Sequence, residues 1–304
     1  MSLTVIEQAY AKVNLCLFMG QARGDGRHEL VTVFDSVRLA DELTVSESES
    51  GVDEVRCAGV PGPNLVSGAL AGLRDAGWAA PPVRVEIRKR IPVAAGMGGG
   101  SADAAAMLRC AGRLAPIDRE AVASIAARLG ADVPGQLVPG PSLGTGAGEL
   151  IEPLAALGSY GLLVLPAAFS LSTAAVYHEA DQLGLGRDAG DLAACHSRVR
   201  AGLAGGSEAP GVSAMLSPEL MVNDLQAAAL SLRPELSGTL DAAREAGCDH
   251  AMVCGSGPTV VGFFIGADAG ARARTAAGDP GLRARFARTA AASPVHSAQS
   301  AFRL

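Results

Sequence analysis

Lysine is nearly missing from this chain: of 25 basic residues only Lys12 and Lys89 are lysines, and asparagine is as scarce, at Asn14, Asn64 and Asn223. In a composition drawn so far toward arginine and alanine, the surviving lysines and asparagines mark places where arginine fails to substitute. Chance retention is the competing explanation, against which stand the pairing of Lys12 with Asn14 and the position of Lys89 just ahead of a glycine run. Positive charge is also lacking overall. A net charge of −6 argues against a general nucleic-acid binder, which needs a basic face toward phosphate, although Arg88-Lys89-Arg90 forms a local cluster. Cys16, Cys57, Cys110, Cys195, Cys248 and Cys254 include no Cys-x-x-Cys pair. Nor do His28, His178, His196, His250 and His296 have metal-ligand spacing, so neither a structural metal nor a redox motif is expected. The thiols read as small buried groups in a reducing compartment. No apolar run approaches the roughly 18 residues of a membrane helix, and Met1-Ser-Leu-Thr-Val-Ile-Glu7 has no basic-then-apolar leader, so a soluble cytoplasmic protein is expected.

What is present begins with Pro92-Val-Ala-Ala-Gly-Met-Gly-Gly-Gly-Ser101, running into an alanine-rich helical stretch. Glycines at 96, 98, 99 and 100 permit backbone angles closed to other residues and add no bulk, so successive N–H groups can converge on one anion. Ser101 suits the N-cap of the helix that follows, which adds its positive end to the same spot. A P-loop would close on Gly-Lys-Ser/Thr, and Gly100-Ser101-Ala102 has no lysine. The dinucleotide fingerprint fails on spacing, and the protein-kinase signature elements are absent. A flexible turn remains the competing reading of the glycines alone.

The 304 residues allow one large domain or two ordinary ones, and 49% apolar with 18% charged residues is globular. Strand alternation over 5–17 puts Ala11, Val13, Leu15 and Leu17 on one face and Lys12 with Asn14 on the other. A polar turn over 20–27 and strands over 30–39, 42–46 and 83–89 follow. Helices are expected over 64–76, over 119–129 between an Asp118 cap and a Gly130 stop, around 192–203, over 219–231, 234–246 and 267–277. A new strand over 160–166 places a domain boundary near 155–156, and 251–265 reads as strand, glycine turn, strand. The roles of the Gly144–Gly148 segment and of 184–211 stay open between lid and surface connection.

Ala11-Lys-Val-Asn-Leu15, Pro92-x3-Gly-Met-Gly-Gly-Gly-Ser-Ala-Asp103 and Gly255-Ser-Gly-Pro-Thr259 resemble, in order, the three motifs of the small-molecule kinase superfamily that includes galactokinase, homoserine kinase and mevalonate kinase. Arg23-x-Asp-Gly-Arg-His28, Asn64-Leu65, Leu129-Gly-Ala-Asp-Val-Pro134 and Asn223-Asp-Leu225 narrow the likeness to the branch acting on a polyol that carries a cytidine diphosphate group, in non-mevalonate isoprenoid synthesis. The resemblance implies an α+β fold of two domains, ribosomal-protein-S5-domain-2-like over 1–155 and ferredoxin-like over 156–304, with the site between them. It implies ATP and Mg2+, a small-molecule substrate, no nucleic acid or membrane partner, and a monomer or weak homodimer.

By the same resemblance, Asp132 is the base and Lys12 its partner: the lysine keeps the carboxylate ionised and stabilises the developing alkoxide. ATP is expected on Pro92, Gly96, Met97, Gly98, Gly99, Gly100, Ser101 and Asp103, with adenine near Asn64, Leu65 and Lys89. Asp103 is placed on the first turn of the cradle helix, either complementing the helix dipole or holding magnesium through water, and Ser101 is the better metal candidate. Substrate is expected on Asn14, Arg27, His28, Phe34, Thr173, Tyr177, Gly255, Ser256 and Gly257, His28 toward the cytosine edge and Tyr177 stacked on the ring. The chain departs from the family where tyrosine is usual and Arg27 stands, at Ala94 and Ala95 in place of glycines, and at Gly135-Gln136 in place of an aromatic pair. Arg27 motivates an alternative, a kinase of the superfamily acting on another small alcohol. A non-catalytic nucleotide sensor is the other alternative, disfavoured by the retention of both Lys12 and Asp132.

Overall fold

A computed structural model describes residues 4–60, 62, 64–205, 213–286 and 288–295. The chain opens with a long antiparallel hairpin of β1 (Val5–Ala22) and β2 (His28–Glu47). The expected turn over 20–27 is shorter than read, since β1 runs to Ala22 and Gly26, at φ +78°, makes the reversal. The two strands expected over 30–39 and 42–46 are one. Asp41, at the expected break, is buried and accepts from the backbone N–H groups of Arg90 and Ile91, so the polar residue is satisfied without ending the strand.

A register shift between Asn14 and Cys16 sets Asn14 opposite Phe34 and Leu17 opposite Thr32. An extra residue in one strand reverses every side chain beyond it. Ala11, Val13 and Leu15 therefore enter the larger core as expected, whereas Leu17 turns to a second cluster and to the cleft described below.

β3 (Glu54–Cys57), α1 (Leu65–Asp75) and β4 (Val83–Arg88) add a parallel pair to this sheet. Then come α2 (Gly99–Leu114), α3 (Arg119–Leu129), the single turn α4 (Asp132–Gly135) and a hairpin of β5 (Ser142–Thr145) and β6 (Leu150–Pro153). The sheet order is β3-β4-β2-β5-β6, with β1 on β2. The glycines of 144–148 make the β5–β6 turn, with Gly146 and Gly148 at φ +70° and +98°. Small buried residues from Ala102 to Ala111 let α2 lie close against β1 and α1. Asp118 caps α3 through its side chain, as expected, and Asn64, read as the first residue of α1, is instead its side-chain cap.

The second half contains β7 (Tyr160–Leu165), α5 (Thr173–Gln182), α6 (Ala189–Ala204), α7 (Gln226–Leu232), α8 (Leu236–Glu245), β8 (His250–Val253), β9 (Val260–Ile265), α9 (Ala269–Gly278), α10 (Pro280–Arg285) and β10 (Ala290–Ala292). Its antiparallel sheet, in the order β10-β7-β9-β8, has the ferredoxin-like connectivity. The helix expected over 219–231 starts only at Gln226. Tertiary pairing overrides its helical pattern: Leu17 donates its N–H to Val222 O at 2.7 Å, Asp224 donates back to Leu17 O at 2.9 Å, and Asn223 bridges to β1. α10 was not anticipated, although its signals, the Asp279 cap and Pro280 at the first turn, stand in the sequence. Among the described residues no helix is long and apolar enough to cross a membrane.

Candidate active site

A cleft of about 850 Å³ is lined by residues of both halves. All the candidate catalytic, nucleotide and substrate residues line it except Gly257, which lies behind the wall with its carbonyl against Gly96. The floor is the β1–β2 hairpin. Lys12 Nζ donates to Asn14 Oδ1 at 2.9 Å, Asn14 Nδ2 donates to Thr32 Oγ1 at 2.8 Å, and Thr32 passes its hydrogen to Cys16 O at 2.7 Å. This chain fixes the ammonium 3.6 Å from Asp132 Oδ2, with Lys12 buried and the aspartate side chain 50% exposed to the cleft. Asp132 opens α4 directly after the Gly130 stop, so the break between α3 and α4 brings the carboxylate to the lysine.

The glycine run stands over this pair. Gly96 and Gly98 adopt φ +72° and +68°. A Cβ on Gly98 would meet Lys12 Cγ at 3.0 Å and Gln136 Nε2 at 2.7 Å, so the bare backbone allows the cradle and the lysine to adjoin. Lys12 also donates its own N–H to Met97 O at 3.0 Å. The cap of α2 is Gly98, not Ser101, and among the described residues no side chain bonds the first-turn N–H groups. The residue before the helix is left-handed here, at φ +68°, an angle that favours glycine over serine. Ser101 consequently sits inside the first turn, facing the cleft without a protein hydrogen-bond partner among the described residues.

Asp103 falls in the second turn of α2, not the first, and is buried with Lys89 Nζ 2.7 Å from its Oδ2. Lys89 Nζ also contacts Asp41 Oδ2 at 2.5 Å. Burial opposes the charge on Lys89, but Asp103 and Asp41 outweigh it and hold the ammonium above the ordinary lysine range. Burial, aided by Asp41, raises the Asp103 carboxyl against the pull of Lys89. Asp103 Oδ2 is thus paired in the wall, while its Oδ1 is buried with no hydrogen-bond partner among the described residues. Asp41 was missed because its partners are distant in sequence.

At the other end of the cleft His28 meets Asp181 of α5 and lies beside Tyr177, ring centroids 5.0 Å apart. Burial pushes the Tyr177 hydroxyl well above its ordinary range, so the ring is a neutral phenol. Thr173 and Ser256 share a hydrogen bond at 2.9 Å. Arg27 is held by Asp25 through Nε and Nη2 at 3.2 and 3.0 Å on the exposed rim. Phe34 packs so tightly on Gly135 that a Cβ there would enter the ring, which explains glycine where an aromatic is usual. Gln136, the second departure, donates to Gly98 O at 3.3 Å and so braces the cradle. Asn64, Leu65 and Pro92 line the mouth, with Asn64 Oδ1 committed to Val66 N–H at 2.9 Å.

Residues 64–140 match the GHMP kinases N terminal domain and residues 210–281 the GHMP kinases C terminal domain. A 4-diphosphocytidyl-2-C-methyl-D-erythritol kinase of Streptomyces coelicolor is 43% identical over 278 residues, covering 88% of this chain and 89% of the relative. One of Nocardia farcinica is 40% identical, covering 94% and 93%. The chain belongs to the 4-diphosphocytidyl-2-C-methyl-D-erythritol kinase family of GHMP kinases. A crystal structure of a 4-(cytidine 5'-diphospho)-2C-methyl-D-erythritol kinase superposes on this family member with TM-score 0.73 at 32% identity, covering 95% of this chain and 98% of the other. A mevalonate kinase from L. major, at TM-score 0.68 and 15% identity, shares the fold. The two-domain α+β kinase fold is thus that of the family.

Proposed function

We propose that this protein is the ATP-dependent kinase that phosphorylates the tertiary 2-hydroxyl of 4-diphosphocytidyl-2-C-methyl-D-erythritol. The observation that carries the proposal is the Lys12–Asp132 pair, 3.6 Å apart directly beneath an anion cradle. An alcohol must lose its proton as its oxygen bonds the γ-phosphorus, and a carboxylate within reach of a buried ammonium suits that transfer. Asp132 takes the proton and Lys12 stabilises the alkoxide as it forms. Asn14, tied between Lys12 and Thr32, orients the lysine and faces the polyol. Gly96 to Ser101 receive the phosphates on open N–H groups at the positive end of α2. Asn64, Leu65 and Lys89 border the adenine, Arg27, His28, Phe34 and Tyr177 border the cytidyl group, and Thr173, Gly255 and Ser256 complete the substrate wall, Gly255 on the side of Lys12 and Asn14.

Magnesium, the usual companion of ATP, neutralises charge on the transferred phosphoryl group. Among the described residues no three His, Cys, Asp or Glu side chains cluster to hold a metal, and Asp103 is paired with Lys89. The unpartnered Ser101 hydroxyl fits a magnesium carried on the phosphates rather than caged by protein. The halves divide, in this reading, at 155–156, with the cleft between them, and the chain works as a monomer or weak homodimer.

The test is ADP release from ATP and magnesium with the cytidyl substrate, run beside homoserine, mevalonate and galactose. Turnover with the cytidyl substrate alone is expected. Turnover of a different alcohol would overturn the substrate assignment, and ATP binding without turnover of any would leave the sensor reading.

A further inference from the structure

His28 and Asp181 come from opposite halves of the chain and meet at the end of the cleft away from the glycine cradle. His28 opens β2 and is buried, while Asp181 lies in the last turn of α5, its Oδ1 2.7 Å from His28 Nε2. An ionised carboxylate can only accept, so the hydrogen in this contact is on Nε2. In a neutral ring Nδ1 then carries a bare lone pair. Among the described residues no protein group bonds Nδ1, and it is not sealed from the cleft that His28 lines.

We infer that Asp181 is a positioning residue that fixes His28 as a hydrogen-bond acceptor toward the base and so selects cytosine over uracil. The inference rests on the cytidyl reading above. Cytosine has one donor on its pairing edge, the 4-amino group, while its N3 and O2 accept; uracil presents a 4-carbonyl instead. A lone pair on Nδ1 accepts from the 4-amino group and repels the 4-carbonyl, so one tautomer supplies both the attraction and the rejection. The Tyr177 ring beside His28 offers stacking, which does not distinguish pyrimidines. The histidine edge can tell the two bases apart where stacking cannot, and its sense is set by Asp181. Nothing in the local sequence signals this, because α5 brings Asp181 to His28 from 153 residues away.

The test compares turnover of the cytidyl substrate and its uridyl analogue by wild type, Asp181→Ala and Asp181→Glu. In Asp181→Ala the KM for the cytidyl substrate is expected to rise about tenfold with kcat within about twofold, and the cytidyl-to-uridyl ratio of kcat/KM to fall about tenfold. Asp181→Glu, which keeps a carboxylate, retains most of the preference. Nitrogen NMR of histidine-labelled wild type is expected to show His28 with its hydrogen on Nε2, and Asp181→Ala a mixture of tautomers. An unchanged ratio in Asp181→Ala, or a wild-type His28 with its hydrogen on Nδ1, overturns the inference. Wild type that fails to turn over the cytidyl substrate sinks the functional reading and this inference with it, whereas turnover with an unmoved ratio sinks the inference alone.

Discussion

Asp35, on the β2 face away from the cleft, gives a stability prediction that can be worked through in full. It is 1% exposed and accepts the Tyr160 hydroxyl at 2.7 Å, tying β2 to β7 across the two halves. Burial pushes its carboxyl up to about 7, against the pull of the Tyr160 hydrogen bond. Unfolded, the same group titrates near 3.9. Between these values the folded chain holds a proton that the unfolded chain has lost, so stability falls as pH rises through the window and is flat above it. At about 1.4 kcal/mol per pH unit, moving from pH 5 to pH 8 removes about 3 kcal/mol through this group alone. Asp35→Asn keeps an acceptor for Tyr160 and cannot titrate. Urea unfolding of both proteins at pH 5, 6, 7 and 8 gives the difference in stability, from which carboxyls common to both, Asp103 included, cancel. The variant is expected to gain about 3 kcal/mol on wild type between pH 5 and 8, whatever the constant offset from its buried amide. A difference that stays flat across those four pH values would refute the reasoning, because it would mean Asp35 is charged in the folded chain throughout.

Asp132→Asn should lower kcat by roughly 10² to 10⁴, the ordinary size of a general-base contribution, with ATP affinity held within a few-fold; wild-type turnover in rapid-quench assays would remove Asp132 from the base role. Gly96→Ala should cost at least about 2 kcal/mol, since its positive φ is strained for alanine, and the new Cβ would lie 2.6 Å from Gly257 O and 2.7 Å from Cys254 O. Gly100→Ala, whose Cβ meets only Leu65 Cδ1 at 3.7 Å, is the control expected to unfold no more easily than wild type when thermal melts of the three proteins are compared, and a Gly96→Ala melt matching wild type would refute the packing argument. Arg27→Ala should raise the KM for the cytidyl substrate about two- to fivefold, the worth of a guanidinium over a ring, without changing stability; an unmoved KM would place Arg27 outside the base site.

The scarcity of asparagine proved more informative than any single motif, for a reason visible at each position. Asn14 accepts from Lys12 and donates to Thr32, Asn64 caps α1, and Asn223 donates to Val253 O and Gly255 O while accepting from Leu225 N–H. Asn14 and Asn223 each need a donor and an acceptor in one short side chain, which arginine and aspartate lack. Local signals were therefore legible wherever the physics was local: the Asp118 cap, the Gly130 stop, the positive φ of Gly96 and Gly98, though not of Gly99 and Gly100, which are helical, and the alternation of β1 as far as Asn14. They failed where a partner came from afar. Helix propensity over 219–225 lost to pairing with Leu17, and the bulge that redirects Leu17 leaves no composition signal of its own.

The same rule explains the departure at Gly135, which in sequence looks like the loss of an aromatic residue from the substrate wall. In space the ring is not lost but supplied from β2, where Phe34 occupies the volume that a side chain at 135 would need. The two positions are then one packing unit, and neither can be judged alone: a large residue at 135 requires a small one at 34. Single-sequence reading sees only a missing aromatic, because strand β2 and turn α4 become neighbours only after the hairpin and the helices that follow it have packed.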